Sequence, residues 1–329
     1  MLRPLLAAAA MVLTAAPVVA QTEYTFALVP KAMNNPFFDL ARDGCMKAQQ
    51  ELKGVKCLYI GPSEHTETEQ VQIVQDLISR RVDGIAVSPS NAGAIGRILR
   101  AAKEAGIPAI TWDADLEPRN KANRITYIGT RNYDIGANLA KLAQARKPNG
   151  GKICLQSGGA AAANHNERLQ GIGDTLGGMT GTTPPGTRLT GQNGWTEVDG
   201  CPLFTNDDSA VAVQQFQDIL NKFQDLDVYI STGAFTQWSD NAYRQAIRPH
   251  MAWVKSGSLV VVMADTLPMQ MAQLEDGLSQ GQVGQRPFQM GYLAMEKLFA
   301  IKGGQTVEDP IYTGLDVCTP ENATIYLDK

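Results

Sequence analysis

The chain alternates short apolar runs with longer stretches of helical periodicity. Residues 24–29 form an apolar run typical of a buried strand. Residues 37–52 carry apolar side chains three and four positions apart, as one face of a helix does. Asn35 and Pro36 precede that stretch, which favours a side-chain cap followed by proline at the first helical position. The same order of strand and helix repeats as far as Asp113.

The pattern starts again in the second half. Strands are expected at residues 152–156, 228–231 and 259–264, and helices at residues 167–176 and 208–223. Alternating elements with continuously apolar strands predict an α/β fold whose parallel sheets are covered by helices on both faces. A chain of 329 residues exceeds what one core usually accommodates, so two domains are expected.

The first 20 residues have the pattern of an export signal. Arg3 precedes an apolar run over residues 5–16, and residues 18–20 (VVA) supply small side chains for cleavage after Ala20. The run is shorter than the roughly 20 residues that cross a bilayer, which disfavours the alternative of a membrane anchor. The residue directly after the cleavage point is Gln21 and not a cysteine, which disfavours a lipid anchor. We expect an exported protein.

Charge and histidine content exclude several classes of function. Without the leader the chain has 28 basic and 33 acidic side chains, and this balance argues against nucleic acid as a partner. The three histidines, at positions 65, 165 and 250, are scattered, and no cysteine pair has zinc-like spacing. We therefore expect no metal site and no other cofactor.

Five cysteines are compatible with disulfides in an oxidising compartment. Cys45 and Cys57 lie on a predicted helix and the strand after it, close enough in sequence to pair. Cys154 with Cys201 is a second candidate pair. The alternative, buried unpaired thiols, stays open because connectivity does not follow from sequence.

Polar and aromatic residues follow the predicted strands. In open α/β sheets, ligands bind beyond the carboxyl ends of the strands. The positions that this rule selects are residues 31–38, Ser88, Asp113, residues 157 onward, residues 232–235 and Asp265. Six strand ends with such residues predict a ligand site built from both halves of the chain.

Five motifs, in order along the chain, resemble those of the periplasmic sugar-binding proteins related to the ribose-binding protein. They are residues 33–38 (MNNPFF), 83–89 (DGIAVSP), 105–108 (AGIP), 167–171 (ERLQG) and 285–291 (QRPFQMG). The resemblance implies a type I periplasmic binding protein, in which two Rossmann-like lobes with parallel sheets are joined by a three-stranded hinge and trap a ligand between them.

The resemblance also implies a division of the chain. After the signal peptide (1–20), the N-terminal lobe is expected to comprise residues 21–131 plus 266–288. The C-terminal lobe is expected to comprise residues 132–265 plus 289–312, and residues 313–329 are expected to return to the hinge or the N-terminal lobe.

Ten residues resemble ligand-binding positions of that family or lie at the matching strand ends. They are Lys31, Asn35, Phe37, Phe38, Ser88, Asp113, Arg168, Phe235, Asp265 and Gln285. Aromatic rings cover the apolar face of a sugar, while charged and amide groups hold its hydroxyl rim. Hydrogen bonds to charged partners contribute roughly 1.5–3 kcal/mol each. Asp113, Asp265 and Arg168 are therefore expected to dominate affinity.

The chain departs from the family pattern at several of these positions. Lys31 stands where a small hydroxyl residue is expected, and Ala114 where an arginine follows the aspartate. The Asn-Asp pair expected around residues 232–235 is absent, and Trp195 or Phe235 is expected to supply the second-lobe aromatic ring. These departures argue against ribose itself as the ligand.

Several candidates also have a purely structural interpretation. In this interpretation Phe37 only packs in the core, Asn35 or Gln285 only caps a helix, and Arg168 forms a surface ion pair. Lys31 is compatible with an acidic or phosphate-bearing ligand, but a surface lysine is the simpler interpretation. His165 is expected to be a solvated loop residue.

Three functions are compatible with these features. The resemblance implies the solute-binding component of an ABC importer, acting as a monomer on a small polar ligand, with a membrane permease as partner. A sensor presenting its closed form to a chemoreceptor or sensor kinase is a second hypothesis. A secreted hydrolase is disfavoured because no Gly-X-Ser-X-Gly elbow is present. We expect a binding protein and not an enzyme.

Overall fold

A computed structural model describes residues 23–179 and 184–324, which form two lobes. The predicted signal peptide and its cleavage point lie outside the described residues. The strands of the first lobe are β1 (Tyr24–Val29), β2 (Val55–Tyr59), β3 (Gly84–Val87), β4 (Ala109–Trp112), β5 (Tyr127–Gly129) and β12 (Ile311–Tyr312). They form one parallel sheet in the order β12-β5-β4-β3-β1-β2.

Helices cover both faces of this sheet. They are α1 (Pro36–Glu51), α2 (Glu67–Ser79), α3 (Ala92–Glu104) and α10 (Pro287–Lys302). Successive side chains of a strand point to opposite faces, so Phe26 and Leu28 of β1 pack in the core under α1 and α10. Ala27 and Val29 pack under α2 and α3 on the other face. Burial on both faces explains why the strand is apolar throughout.

The second lobe repeats this architecture. Its strands are β6 (Gly151–Ser157), β7 (Trp195–Glu197), β8 (Leu203–Phe204), β9 (Val228–Ser231), β10 (Val260–Ala264), β11 (Gly281–Gly284) and β13 (Asp316–Cys318). The order is β13-β11-β10-β9-β6-β7, with β8 also paired to β6. Only β13 runs antiparallel to its neighbour within the described part of the sheet.

The helices of the second lobe are α4 (Asn132–Arg146), α5 (Ala163–Gly177), α6 (Ser209–Lys222), α7 (Asp240–Ile247), α8 (Met251–Ser256) and α9 (Pro268–Glu275). Val228 and Ile230 of β9 pack in the core under α4 and α5. Tyr229 faces the core formed with α6, α7 and α8. The predicted α/β class with two parallel, helix-covered sheets is confirmed. No helix in the described ranges is long and apolar enough to cross a bilayer.

The described chain passes between the two sheets three times, after β5, after β11 and after β12. Thr130 Oγ1, in the first crossing, donates to the carbonyl of Gly314 in the third at 3.0 Å. Arg286, in the second crossing, reaches the carboxylate of Asp316 at 3.0 Å. The crossings therefore contact one another and form a compact hinge.

The structure corrects the expected assignment of the later segments to the lobes. Residues 266–288 were expected in the first lobe, but β11 pairs with β10 of the second sheet. Residues 289–312 were expected in the second lobe, but α10 packs on α1, and β12 pairs with β5. Residues 313–329 were expected to return to the hinge or the first lobe; Gly314 lies in the third crossing of the hinge, and β13 then joins the second sheet.

Close helix packing fixes α10 on the first lobe. A Cβ atom on Gly291 of α10 would lie 1.8 Å from the carbonyl oxygen of Ala41 in α1. A Cβ atom on Gly44 of α1 would lie 2.0 Å from the carbonyl oxygen of Phe288. The two backbones therefore touch where each helix has a glycine, and only glycine permits this approach.

Two disulfides link helices, strands and loops within the lobes. Cys45 of α1 pairs with Cys57 of β2, with Cα atoms 5.9 Å apart. Cys154 of β6 pairs with Cys201, with Cα atoms 5.4 Å apart. Both candidate pairs are confirmed, and the alternative of unpaired thiols is wrong for these four cysteines.

Candidate ligand-binding cleft

A cavity lies between the lobes, at the carboxyl ends of both sheets. Nine of the ten predicted site residues line it: Lys31, Asn35, Phe37, Phe38, Asp113, Arg168, Phe235, Asp265 and Gln285. The remaining lining residues, none of which is among those ten, are Asn164, His165, Asp207, Gly233 and Trp238. The tenth predicted residue, Ser88, lies behind this wall.

The start of α1 places two aromatic rings on the cavity. Asn35 Oδ1 accepts a hydrogen bond from the backbone N–H of Phe37 at 2.9 Å, as the cap prediction requires. The Nδ2 atom of Asn35 is not used by the cap, and its residue lines the cavity. Phe38 packs edge-on against Phe37 at 5.3 Å and against Trp112 at 5.4 Å between ring centroids. Both phenylalanines belong to the core and also line the cavity.

Lys31, Ser88 and Asp113 form one buried group on the first lobe. Ser88 Oγ donates to Asp113 Oδ2 at 2.7 Å, so Ser88 orients the carboxylate from behind. Lys31 Nζ lies 3.4 Å from the same oxygen and donates to Asn164 Oδ1 of the second lobe at 2.9 Å. Lys31 is only 1% exposed, so the surface-lysine interpretation is wrong.

Arg168 is held rigidly by neutral groups of the second lobe. Its Nε and Nη2 atoms donate to Asn132 Oδ1 at 2.9 and 2.8 Å, and Nη1 donates to the carbonyl of Thr232 at 2.7 Å. A guanidinium has five N–H donors, so two remain for the cavity. Arg168 is 1% exposed, and the surface ion-pair interpretation is therefore wrong.

Asp265 and Gln285 close the hinge side of the cavity. Gln285 Nε2 donates to Asp265 Oδ1 at 2.8 Å. Burial raises the pKa of the Asp265 carboxyl, against the opposing effects of Arg168 and Gln285. Among the described residues, the buried Oε1 atom of Gln285 has no hydrogen-bond partner. A ligand hydroxyl group donating to this atom would satisfy it.

The second lobe supplies its own aromatic wall. Phe235 and Trp238, which follow β9, pack edge-on with ring centroids 5.2 Å apart, and both line the cavity. Trp195, the other residue considered for this wall, begins β7 and packs in the core of the second lobe.

His165 and Asp207 are the main residues that sequence reasoning missed. His165 was expected in a solvated loop, but it lies in α5, is 3% exposed and faces the cavity. Its Nε2 atom is 3.4 Å from Asp207 Oδ1, and its Nδ1 atom is 3.0 Å from Thr232 Oγ1. Burial lowers the pKa of His165 to about 4, so its imidazole is neutral at pH 7. The sequence did contain a signal for this position, since His165 lies three residues before Arg168 and therefore on the same face of the helix.

The cavity combines opposite charges with apolar surface. Lys31 and Arg168 carry positive charge and Asp113, Asp207 and Asp265 supply carboxyl groups, all with side chains that are nearly fully buried. Donors, acceptors and aromatic rings thus surround one small space, an arrangement that suits a compact polyhydroxylated molecule. Within residues 23–179 and 184–324, no group of three or more histidine, cysteine or acidic residues is arranged to hold a metal ion.

Several known proteins resemble this chain. The ribose import binding protein of Escherichia coli (strain K12) is 30% identical over 154 residues, which are 46% of this chain and 50% of that protein. The chain thus matches about half the length of this curated relative. A crystal structure of an ABC transporter solute-binding protein from Burkholderia graminis C4D1M, in complex with D-arabinose, is 32% identical. It aligns over 93% of this chain and 98% of that chain with a TM-score of 0.78.

A second solved structure shares the fold. The ABC transporter solute-binding protein from Agrobacterium vitis with bound D-fucose is 24% identical, covers 91% of this chain and 96% of its own, and has a TM-score of 0.80. The family model for the periplasmic binding protein domain matches residues 26–306, which include every residue that lines the cavity. The chain therefore belongs to the periplasmic binding protein family.

Proposed function

We propose that this protein is the periplasmic solute-binding component of an ABC-type importer and binds a neutral monosaccharide or a closely related polyol between its lobes. The observation that carries this proposal is the convergence of Asn35 and Asp113 from the first lobe with Arg168 and Asp265 from the second on one cavity. A ligand that contacts both lobes favours the closed form, and closure then signals occupancy to the permease.

The lining of the cavity supports a single sugar ring. Phenylalanines 37 and 38 on one lobe, and Phe235 with Trp238 on the other, supply apolar surface for the two faces of a ring.

The charge balance supports a neutral ligand. The two cations of the cavity are already engaged: Lys31 with Asn164 and Asp113, and Arg168 with Asn132 and Thr232. Three carboxyl groups also line the site, so an additional carboxylate or phosphate on the ligand would bury further negative charge. Hydroxyl groups donate to carboxylates and accept from spare N–H groups without this penalty.

The relatives and the leader support the cellular context. The D-arabinose and D-fucose complexes are of ABC transporter solute-binding proteins that share the fold of this chain. We infer that residues 1–20 direct export, that cleavage follows Ala20, and that the mature protein acts as a monomer with a membrane permease as partner.

The test is a ligand screen on the purified mature protein. Thermal-shift measurements against neutral pentoses, hexoses and polyols, with sugar acids and sugar phosphates as the charged comparison set, should give a stabilising neutral ligand. Isothermal titration should then show one site per chain, and mass spectrometry should find the ligand unchanged. Stabilisation only by charged sugars would refute the neutral-ligand assignment, and turnover of the ligand would refute the binding function.

A further inference from the structure

His65 lies outside the cavity and yet contacts the opposite lobe. It belongs to the loop between β2 and α2 of the first lobe. Its Nδ1 atom lies 3.2 Å from Oδ2 of Asp207, which precedes α6 in the second lobe. The two side chains are 5% and 3% exposed, so the contact is buried between the lobes.

The second lobe has a notch that receives the His65 ring. The notch is formed by Gly158 and Gly159, which follow β6, together with Asp207. A Cβ atom on Gly159 would lie 3.1 Å from Nε2 of His65, and a Cβ atom on Gly158 would lie 2.1 Å from Oδ1 of Asp207. Any larger residue at these two positions would displace the ring or the carboxylate.

Asp207 is set up to accept a hydrogen bond across the cleft. Its backbone adopts a left-handed conformation with φ of 59°, which turns the carboxylate toward the first lobe. Burial alone would raise its pKa, but contacts with His165 and His65 and the charge of Lys31 hold the pKa well below the usual range. The carboxylate is therefore ionised at neutral pH and accepts from an imidazole N–H.

We propose that His65 latches the closed form through Asp207 without touching the ligand. This assignment rests on the proposed function, since closure around a ligand is what the latch stabilises. The two groups come from different lobes, so opening the hinge separates them and exposes both to water. An interaction present only in the closed form shifts the open–closed equilibrium toward closure by its own free energy. His65 is thus a positioning residue for ligand retention.

The experiment compares two substitutions at position 65 with a matched histidine elsewhere. His65→Leu keeps a side chain of similar bulk and removes the donor, while His65→Asn places an amide N–H near the position of Nδ1. His250→Leu, between α7 and α8, is the control. The readouts are association and dissociation rates for the sugar found in the screen, and solution scattering with and without it.

His65→Leu is expected to dissociate about tenfold faster, the effect of losing one hydrogen bond to a charged group, with little change in association rate. His65→Asn should stay within about threefold of wild type because it retains a donor. His250→Leu should match wild type. His65→Leu should cost less in the Asp207→Asn background than in the wild type, because the asparagine offers His65 only an uncharged acceptor.

Three results would overturn the latch. They are an unchanged dissociation rate in His65→Leu, strictly additive effects of the two substitutions, and a faster rate that is explained by a lower unfolding temperature of the ligand-free variant. If no sugar binds the wild type, the proposed function fails separately. The latch is then judged from the ligand-free protein, where scattering must show a smaller closed fraction in His65→Leu than in wild type.

Discussion

Replacing Lys31 by methionine should weaken ligand binding strongly while leaving the fold intact. The substitution keeps an unbranched side chain of similar length and removes the buried ammonium group. In the wild type this group donates to Asn164 at 2.9 Å across the cleft and lies 3.4 Å from the Asp113 carboxylate. The variant therefore loses one contact between the lobes and the positive charge that balances Asp113.

The magnitude follows from those contacts. A hydrogen bond that involves a charged group contributes about 1.5–3 kcal/mol when both partners are buried. The loss acts on the closed form, because opening the cleft separates Lys31 from Asn164. At about 1.4 kcal/mol for each tenfold change, the dissociation constant should rise about 10- to 140-fold.

The assay is isothermal titration with the neutral sugar identified in the screen. Lys53→Met, at the exposed turn after α1, is the matched control and should bind like the wild type. The unfolding temperature of the ligand-free variant verifies that it is folded. A dissociation constant within threefold of wild type would refute the reasoning, since it would mean that the buried ammonium group stabilises neither closure nor the ligand.

Three further predictions concern packing and pH. Gly291→Ala should destabilise the protein by about 1–3 kcal/mol in urea unfolding, because its Cβ would meet the Ala41 carbonyl at 1.8 Å. Gly173→Ala, in α5 with no atom within 4 Å of the added Cβ, should instead stabilise the protein by about 0.5–1 kcal/mol. Equal changes in unfolding free energy for the two alanine variants would contradict this account. Burial raises the pKa of Asp265, so the folded protein keeps this proton to higher pH than the unfolded chain, and the associated stability is lost as pH rises. As pH rises from 4 to 7, the unfolding temperature of Asp265→Asn should therefore increase relative to that of the wild type. A constant difference between the two unfolding temperatures would refute this. Burial lowers the pKa of His165 to about 4, so the unfolded chain binds the proton first and stability is lost as pH falls from 6.5 to 4. His165→Asn should lose less stability than wild type over that window, and an unchanged slope would contradict the burial argument.

The regular part of the fold could be predicted because local pattern and tertiary burial agree. Residues 228–231 were expected as a strand, and β9 has those bounds. Asp113 and Asp265 could be selected because both directly follow buried strands, and the carboxyl ends of parallel strands meet at one edge. Asn35 carried a local signal as well, since a cap before proline is specified by neighbouring residues alone.

The remaining features depend on contacts that are distant in sequence. The assignment of α10 to a lobe rests on Gly44 meeting Phe288 and Gly291 meeting Ala41, residues more than two hundred positions apart, and no periodicity in either segment encodes that pairing. Asp207 reaches the cleft from an irregular loop after β8. In such a loop, the rule that ligands bind beyond the carboxyl ends of strands does not select a particular residue. His65 becomes part of the cleft boundary only because the lobes close, and its own surroundings in the sequence are those of a solvated loop.

The geometry of the cavity depends on backbone conformations that regular elements do not supply. Asp113, Asp207 and Asp265 all adopt the left-handed region, with φ of 60°, 59° and 72°. Each such residue costs roughly 1–3 kcal/mol and persists only where the surrounding structure enforces it. Apart from glycine, aspartate and asparagine tolerate this region better than other residues do. An alanine at these positions would remove the carboxylate and strain the backbone together, whereas asparagine keeps the conformation, removes the charge and replaces one acceptor oxygen with an amide donor. The contribution of each carboxylate to binding is therefore measured by the asparagine variant, and the further loss in the alanine variant measures how strongly the turn is enforced.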